Sequence, residues 1–404
     1  MPITLAPGVS LQSGTLVYYP TADITNVTTL NANATGTGQI GTLDTTALPN
    51  GSYWIQMQST DTSGHSEYSL VLVTVAGNYK PGRVTTTVTD LVVPASGLPI
   101  SIQRRYDSLN AGTSGDFGYG WNLATTVNLS VDPAGDVTFT LGGQRRTFYF
   151  TPQPLGFFFN VYLPEFTPEA GMFGYLTESD PGCLALDFVV PDGSSWQCDG
   201  GGQYSPPGYI YIDPTGTSYT ISAKGGLQSI VDRNGNTLTV TADGITSSTG
   251  LNVPFVRDSS GRITQITDPQ GNEYLYTYDD NGNLASVTYP NSTQASTYTY
   301  DSAHHYTGGT DFRGNALPTT TYYGPTDTDP SGLPLNGRIE SVTDALNETT
   351  SYAYDIANNT TTITYPPDSS GAVGHSTMVY DSYGDLLSST DPLNHTTTNT
   401  YDAN

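Results

Sequence analysis

The sequence has little positive charge. Only 12 of its 404 residues are Lys or Arg, whereas 37 are Asp or Glu, so the formal net charge at pH 7 is −25. A surface of this sign repels nucleic-acid phosphates and anionic lipid headgroups. The longest apolar run, at 68–76, is far shorter than the ~18 residues of a membrane-spanning helix. We therefore expect no nucleic-acid partner and no membrane span. We also expect no signal peptide, because the first residues lack its basic and apolar stretches.

Residues that carry most enzyme chemistry are also scarce. The chain has two Cys, five His and seven Glu, and it contains no Gly-x-Ser-x-Gly turn and no phosphate-binding Gly-rich loop with Lys. Nucleophilic catalysis needs a Ser, Cys or Thr held by a base, and metal sites need clustered ligands. We therefore expect a non-enzymatic protein with no cofactor and no metal site. Cys183 and Cys198 either form a disulfide in an oxidising compartment or remain free thiols, and the sequence leaves both open.

Strong helix formers are thin along the whole chain. Instead, β-branched and aromatic residues alternate with polar ones in short runs, which is typical of half-buried strands. The 29 Tyr, 12 Phe and 3 Trp supply large surfaces for burial. The sequence therefore predicts an all-β protein. The clearest runs are Thr85–Val93, Ser218–Ser222, Thr237–Thr241, Tyr274–Tyr278 and Tyr298–Tyr300.

Asp is followed by Gly three residues later far more often than composition predicts. Twelve such pairs occur, where about three are expected from the numbers of Asp and Gly. In a tight turn, Asp accepts a hydrogen bond from a backbone N–H two residues on, and Gly adopts a positive φ. The spacing therefore predicts a chain of hairpins with three-residue loops and bulges. The pairs begin at Asp61, Asp132, Asp199, Asp213, Asp232, Asp258, Asp268, Asp279, Asp311, Asp329, Asp368 and Asp381.

The turns belong to a repeating frame of about 20 to 30 residues. Tyr-Asp dipeptides close one set of strands, and mostly Thr-Asp turns close the alternate set. In 274–278 three tyrosines share one strand face, so neighbouring copies are expected to stack aromatic side chains across strands. The repeat-defining residues are Tyr278, Asp279, Gly282, Tyr300, Asp301, Tyr354, Asp355, Tyr380, Asp381, Gly384, Tyr401, Asp402, Asp232, Gly235, Asp268, Gly271, Asp311 and Gly314.

This frame resembles the RHS or YD repeat of bacterial RHS core proteins, Tc toxin B/C components and animal teneurins. The stretch 278–288 is close to the ideal repeat, and 226–236 is similar to the way such repeats begin. Upstream, Arg105-Tyr106-Asp107-Ser108 followed by Gly118-Tyr119-Gly120-Trp121 resembles the segment that leads into bacterial RHS cores. The resemblance covers roughly 79–404.

The resemblance implies a long β-ribbon that spirals into a hollow shell. In several bacterial members the shell encloses a C-terminal toxin that is released by self-cleavage. Here the part of the core that carries the cleavage aspartates is not matched, and five or six repeats are too few to close a shell. We therefore expect a fragment of a longer protein, or a subunit that completes its sheet edges with neighbours.

Three consecutive segments are predicted. Residues 1–78 are similar to an Ig-like or fibronectin-III-like β-sandwich, but they are few for such a domain, so one strand is either missing or supplied by another chain. Residues 79–225 form a β-sheet segment that leads into the repeats, and 226–404 form the YD repeats, with a linker at 78–83. The expected fold class is all-β, an N-terminal β-sandwich followed by a spiralling antiparallel β-hairpin ribbon that makes a partial YD shell.

The leading functional hypothesis is an extracellular or cell-surface scaffold that acts in adhesion or assembly. One alternative is the N-terminal part of a shell that encapsulates and delivers a C-terminal toxin. Another is a filament subunit that assembles by strand exchange. The expected partners are other protein chains, either further copies or the remainder of a longer RHS chain, and carbohydrate is a further candidate because exposed aromatic rings stack on sugars.

Overall fold

The fold is taken from a computed structural model. The residues it describes are 1–7, 10–21, 24–60, 66–75, 77–127, 129–132, 134–142, 144–154, 161–180, 189–192, 195–198, 202, 204–224, 226–381 and 384–401. Within them, the only helices are two single 3-10 turns, Thr45–Ala47 and Ser108–Asn110, and all strand pairs are antiparallel. The prediction of an all-β protein built from an antiparallel ribbon is therefore confirmed.

The strands follow one another at short intervals along the chain. In 1–126 they are β1 Pro2–Thr4, β2 Ser13–Pro20, β3 Thr28–Asn31, β4 Gln39–Thr42, β5 Gly51–Thr60, β6 Ser66–Val75, β7 Thr85–Val93, β8 Ile100–Asp107, β9 Ser114–Gly115, β10 Gly118–Tyr119 and β11 Trp121–Leu123. In 127–226 they are β12 Leu129–Val131, β13 Val137–Leu141, β14 Gln144–Phe150, β15 Gln153–Pro154, β16 Tyr162–Leu163, β17 Phe166–Pro168, β18 Tyr175–Glu178, β19 Val189–Asp192, β20 Ser195–Cys198, β21 Gly208–Ile212 and β22 Ser218–Ser222.

The remaining strands form the repeat region. They are β23 Leu227–Val231, β24 Thr237–Thr241, β25 Gly244–Ser247, β26 Asn252–Arg257, β27 Ile263–Thr267, β28 Glu273–Tyr278, β29 Leu284–Thr288, β30 Ser296–Tyr300, β31 Tyr306–Thr310, β32 Thr319–Tyr322, β33 Ile339–Thr343, β34 Thr349–Asp355, β35 Thr360–Thr364, β36 His375–Tyr380, β37 Leu386–Thr390 and β38 Thr396–Thr398.

The chain divides into two compact units, 1–76 with 127–227, and 77–126 with 228–404. This grouping differs from the three consecutive segments predicted from the sequence, because 77–126 belongs with the repeats and 127–227 with the N-terminal residues. The reason is packing: in the second unit, apolar side chains of β7, β8 and β11 share one core with the strands that follow β23. The boundaries 1–78, 79–225 and 226–404 remain a prediction about domains.

The first unit contains several small sheets. Residues 1–76 form a sheet of order β3-β2-β5-β6 and a two-stranded sheet β1-β4, with Leu16, Leu43, Tyr53 and Ile55 buried between them. Residues 127–227 contribute the sheets β12-β13-β14-β17 and β15-β16-β19-β20, together with the strand order β18-β21-β22. The likeness of 1–78 to an Ig or fibronectin-III domain stays a prediction.

The second unit is built on a hairpin ribbon. Strands β23 to β31 pair in chain order, and β32 to β38 form a second run in chain order. Successive turns therefore alternate between two ribbon edges, which we call the Tyr-Asp edge and the Thr-Asp edge. The long hairpin β7–β8, here called the lead-in hairpin, packs its apolar face on the first run. The spiral and the partial shell remain predictions.

Candidate functional site

The turn aspartates are held by their own turns. The Asp279 Oδ1 atom accepts hydrogen bonds from the backbone N–H groups of Asn281 (3.0 Å) and Asn283 (2.8 Å), and Oδ2 accepts one from the Asn283 side chain (2.9 Å). The backbone closes the same loop through Asp279 N–H to Asn283 O and Gly282 N–H to Asp279 O. The same arrangement recurs at Asp232, Asp268 and Asp311.

The repeat-defining glycines, three residues after the turn Asp, all have a left-handed backbone. Gly235, Gly271, Gly282, Gly314 and Gly384 have φ between 81° and 97°. At Asp344 and Asp391 this position is filled by an Asn, and at Asp301 it is filled by a His, which also adopts positive φ. The non-Gly copies explain why a search for Asp-x-x-Gly alone misses part of the repeat.

The repeat tyrosines fasten neighbouring strands. The hydroxyls of Tyr278, Tyr354 and Tyr401 each donate to a backbone carbonyl fifteen residues earlier, at Ile263, Ile339 and Leu386 respectively. Burial raises the pKa of Tyr278 and Tyr354, so both hydroxyls keep their protons. The shared spacing of fifteen residues between donor and acceptor therefore makes each of these three tyrosines a clamp between one strand and the start of the preceding strand.

Other predicted residues have different neighbours. Tyr300 accepts a hydrogen bond from Trp121 Nε1 at 2.7 Å. Tyr380 packs its ring 5.4 Å from that of Tyr79, and the Asp355 carboxylate accepts from the backbone and side chain of Asn358. Asp381 Oδ1 accepts from the backbone N–H groups of Gly384 and Asp385. Asp402 and Cys183 lie outside the described residues; Cys198 is buried, and its disulfide with Cys183 remains a prediction.

An ion pair that the sequence did not single out lies at the centre of the second unit. Arg104 Nε lies 2.5 Å from Asp90 Oδ2, Arg104 Nη2 lies 3.0 Å from Asp90 Oδ1, and neither side chain is exposed. Both residues belong to the lead-in hairpin. Asp90 is the extra residue of a β-bulge, since Thr89 pairs with Gln103 while Leu91 pairs with Ile102. The bulge turns Asp90 towards the face that Arg104 occupies.

Tyrosines from the repeats complete this buried pair. The Tyr276 hydroxyl donates to Asp90 Oδ2 at 2.8 Å, and the Tyr289 hydroxyl donates to Asp90 Oδ1 at 2.9 Å. Arg104 Nη2 donates to the Tyr298 hydroxyl at 3.2 Å, and its guanidinium carbon lies 5.2 Å from the Trp121 ring centre. We call these residues, with Asp90 and Arg104, the seam. It joins the lead-in hairpin to strands β28 and β30 and to the loop between β29 and β30.

Burial and charge fix the protonation states of the seam. Desolvation acts to lower the pKa of the Arg104 guanidinium, but the Asp90 carboxylate outweighs it and the pKa lies well above its ordinary value. Desolvation and the same carboxylate raise the pKa of Tyr276 and Tyr289. The Arg104 guanidinium is therefore charged, and the hydroxyls of Tyr276 and Tyr289 stay protonated as donors to Asp90. An ion pair buried in this way needs its remaining polar groups satisfied, which the tyrosines do for Asp90.

A second contact joins residues 118–121, which follow the lead-in hairpin, to the Tyr-Asp edge. The Tyr119 ring stacks on His304 at 3.8 Å, and His304 Nδ1 lies 2.8 Å from Asn283 Oδ1. A Cβ at Gly118 would lie 2.5 Å from the carbonyl oxygen of Gly282, so this close approach of two backbones requires glycine. The motif 118–121 therefore matches the shape of two neighbouring repeat turns.

The two adjacent histidines, His304 and His305, have structural roles. His304 supplies the positive φ of its turn, and His305 is buried with its Nδ1 2.9 Å from Asp301 Oδ2. The His305 ring also stacks on Tyr322 at 4.6 Å. The sequence indicates these roles only by position, since the two histidines follow the Asp of a Tyr-Asp pair by three and four residues.

The predicted linker at 78–83 packs against the repeat strands. Tyr79 is buried, and the Arg338 side chain, also buried, donates through Nη1 to the carbonyl of Pro81. The Gly82 carbonyl accepts from Ile339 N–H at 3.0 Å, and Gly384 lies against the backbone of residues 78 and 79. Residues 78–83, which precede the lead-in hairpin, are therefore anchored on the second run of strands, β32 to β38.

The carboxylates of this chain are arranged for structure. Hydrogen bonds within the turns lower the pKa of eight aspartates; at Asp213, Asp258, Asp268 and Asp329 partial burial acts the other way but is outweighed. The eight are Asp213, Asp232, Asp258, Asp268, Asp311, Asp329, Asp368 and Asp391. Desolvation raises the pKa of Asp136, whose Oδ1 accepts from the Phe150 N–H at 2.7 Å. In the part of the chain that the structure describes, no three His, Cys, Asp or Glu side chains cluster as a metal site would require, and no helix is long and apolar enough to cross a membrane.

Two families match this chain. Residues 257–294, 278–316 and 335–367 match the family described as RHS Repeat. Residues 78–149 match the family described as Domain of unknown function (DUF6531). Asp90 and Arg104 therefore lie in the second match, whereas the tyrosines of the seam lie in the first.

Two solved structures are similar at low identity. A crystal structure of TcdB2-TccC3-Cdc42 has 11% sequence identity and a TM-score of 0.23, with 86% of this chain and 27% of that chain covered. A crystal structure of TcdB2-TccC3 has 12% identity and a TM-score of 0.21, with 87% and 28% covered. The chain thus spans little more than a quarter of the length of either match. None of the curated proteins matches it.

Proposed function

Because this chain belongs to the RHS-repeat family, we propose that it is a non-enzymatic scaffold, outside the cell or on its surface, that assembles with other protein chains. The observation that supports the proposal is the hydrogen bonding of the turn aspartates. In several turns, both carboxylate oxygens accept hydrogen bonds from groups of the same turn, as at Asp279 and Asp268. General acid–base chemistry instead needs a carboxyl with a raised pKa that faces a substrate.

The seam supports the same proposal, because it makes the second unit rigid. A scaffold must hold its surface in one conformation while partners bind. The lead-in hairpin carries a desolvated ion pair, and tyrosines from three places in the ribbon bond that pair and fix the hairpin to the repeats. This burial ties the hairpin to one register on the sheet, because any shift leaves Asp90 or Arg104 without its tyrosine partners.

The location is tested by protease treatment of intact source cells. An epitope tag inserted at the exposed turn 248–250 reports cleavage at the surface. We expect loss of the tag from intact cells or its recovery in the medium, while a cytosolic marker remains intact. A tag that is cleaved only after lysis would overturn the extracellular or cell-surface role.

The absence of catalysis is tested on purified protein. A panel of glycans, peptides and phosphoesters is incubated with the wild-type chain and with an Asp136→Asn variant, since Asp136 is the described carboxyl whose pKa is raised. We expect no turnover above buffer. Turnover that is lost in the variant would overturn the non-enzymatic proposal and leave the repeat fold unaffected.

The toxin-delivery alternative makes a different prediction about the gene. Its coding sequence beyond Asn404 would continue through a Pro- and Gly-rich plug into an unrelated effector domain. Expression of that longer product with and without its last domain would then change toxicity. A continuation into further repeats, with no toxicity, favours the scaffold.

A further inference from the structure

The two edges of the sheet β3-β2-β5-β6 are built differently. Strand β3 is four residues long, and its pairing with β2 is interrupted by a bulge between Leu16 and Val17. Strand β6 is ten residues long and pairs with β5 without interruption from Ser66 to Val75. Among the strands that the structure describes, β6 is the last in its sheet. One edge therefore carries the features that block further pairing, and the other does not.

The β6 edge also exposes apolar side chains on both faces of the strand. Tyr68 is 61% exposed, Leu70 is 53% exposed and Val71 is 58% exposed. The strand contains no Pro and no Lys, and Glu67 is its one charged residue. Natural edge strands usually carry Pro, Lys or other charged residues, which prevent pairing with another chain. A long, uninterrupted edge with exposed apolar side chains is thus the opposite of what solubility alone requires of a chain with net charge −25.

We propose that β6 is a self-association edge on which a second copy of this chain adds its own β6 in antiparallel orientation. This joins two four-stranded sheets into one sheet across a twofold axis. The inference rests on the proposed scaffold function and names the partner for this surface. Main-chain hydrogen bonds along the strand supply the attraction, and alternate side chains set the register.

The sequence of β6 is complementary to itself in this orientation. An antiparallel pair related by a twofold axis perpendicular to the sheet places residue types from the same face opposite each other. With Leu70 opposite Leu70 of the second copy, Tyr68 lies opposite Leu72 and Ser69 lies opposite Val71. Each exposed apolar side chain therefore gains an apolar or small neighbour across the interface.

Charge is compatible with this occupant. In the proposed register the two Glu67 side chains are six residues apart along the sheet, which is roughly 20 Å. This separation exceeds the Debye length of about 8–10 Å at physiological ionic strength, so the strand itself adds little repulsion. The remaining repulsion comes from the acidic bodies of the two copies. Added salt therefore strengthens association, whereas a basic foreign partner would be released by salt.

The test is sedimentation velocity on the full 404-residue chain. Protein is measured from about 1 to about 100 µM, in about 0.05 and about 0.5 M NaCl. We expect a reversible dimer whose dissociation constant falls at the higher salt. Leu70→Lys should raise the dissociation constant at least about tenfold, because it places an ammonium group at the centre of the interface. Val256→Lys is the matched control, since Val256 is 52% exposed on β26, and it should leave the dimer unchanged.

Hydrogen exchange on the same samples guards against misfolding. Amides of β6 should gain protection with protein concentration in the wild-type chain, and those of β5 should be protected in every variant. Leu70→Ser, a milder change, should weaken the dimer in the same direction. A chain that stays monomeric under all conditions, or a dimer that neither Leu70 variant weakens, overturns the inference. A monomeric chain that is cleaved on intact cells would overturn self-association and leave the scaffold proposal in place.

Discussion

Asp90 and Arg104 face each other across one hairpin with no exposed side-chain surface, and each is bonded to tyrosines of the repeats. Their separation in sequence is fourteen residues, whereas the tyrosines that bond them lie more than 180 residues further on. The pair thus links a local hairpin to the part of the chain that is synthesised much later. The pair is sensitive to mutation, because a buried charge that loses its partner is strongly destabilising.

Replacing one member of this ion pair should lower the free energy of unfolding far more than replacing both. Asp90→Ala leaves Arg104 buried and uncompensated, with an expected loss of about 3–5 kcal/mol in the free energy of unfolding. The double variant Asp90→Leu, Arg104→Met should recover most of that loss. The measurement is urea unfolding followed by Trp121 fluorescence, in a background where Trp54 and Trp196 are replaced by Phe.

The control for that prediction is the ion pair between Arg145 and Glu169. Its nitrogen and oxygen atoms are 2.7–2.8 Å apart, but both side chains are partly exposed. Truncating Glu169 should therefore cost less than about 1 kcal/mol. Equal losses at the buried and exposed pairs would show that the seam contributes nothing beyond an ordinary surface contact.

Removing a turn aspartate that accepts hydrogen bonds should lower stability more than removing an exposed aspartate that accepts none of the turn's bonds. Asp268→Ala removes the acceptor for two backbone N–H groups and for the Asn272 side chain, and we expect a loss of about 1–3 kcal/mol. Asp280→Ala is the control, because Asp280 is an exposed residue within a turn whose acceptor is Asp279. Thermal unfolding of both variants checks the difference, and a larger effect at Asp280 would contradict the turn assignment.

Two glycines with similar backbone angles should respond differently to alanine. Alanine at Gly384 (φ 97°) or at Gly250 (φ 87°) would carry the strain of a left-handed residue, roughly 1–2 kcal/mol. At Gly250 a Cβ meets no atom within 4 Å, whereas at Gly384 it would lie 2.6 Å from the backbone of Asn78. Gly384→Ala should therefore be the more destabilising and should increase the solvent exposure of Tyr79. Identical unfolding midpoints for the two variants would contradict the packing of 78–83 on the repeats.

Acid should weaken the fold through the turn aspartates. Partial burial of Asp268 is outweighed by hydrogen bonds, so the pKa is lower in the folded chain than in the unfolded one. A carboxyl with a lowered pKa stabilises the fold above its unfolded pKa of about 3.9, and this contribution is lost as the pH falls through the folded value. The difference in unfolding free energy between wild type and Asp268→Asn should be constant from pH 7 to about pH 5 and shrink below about pH 4. A difference that grows on acidification would reverse the sign and refute the assignment.

The repeat could be predicted from the sequence because its signals are local. Asp279 and Gly282 define a turn within four residues, and Tyr278 precedes it, so the hairpin and its edge follow from neighbouring residues. His304 was harder, since it takes the left-handed position that the pattern reserves for Gly or Asn. Its role emerges only when Tyr119, far upstream, stacks on it.

The seam could not be predicted, because its contacts join residues that are far apart in the sequence. Asp90 sits in an alternating strand pattern, and only the bulge turns its side chain towards Arg104. The donors that make the buried carboxylate tolerable come from Tyr276 and Tyr289, and no local pattern links residues so far apart. An acid inside an apolar run, with Arg in the next strand, was the one available signal.

Native-state hydrogen exchange tests whether the seam fixes the lead-in hairpin to the repeat ribbon. Amides of β7 and β8 should exchange with the same free energy as those of β27 to β29, because both open only when the second unit unfolds. In Asp90→Ala, the β7 and β8 amides should exchange sooner than the repeats. If β7 and β8 already exchange well before the repeats in the wild-type chain, the seam does not fix the hairpin to the ribbon.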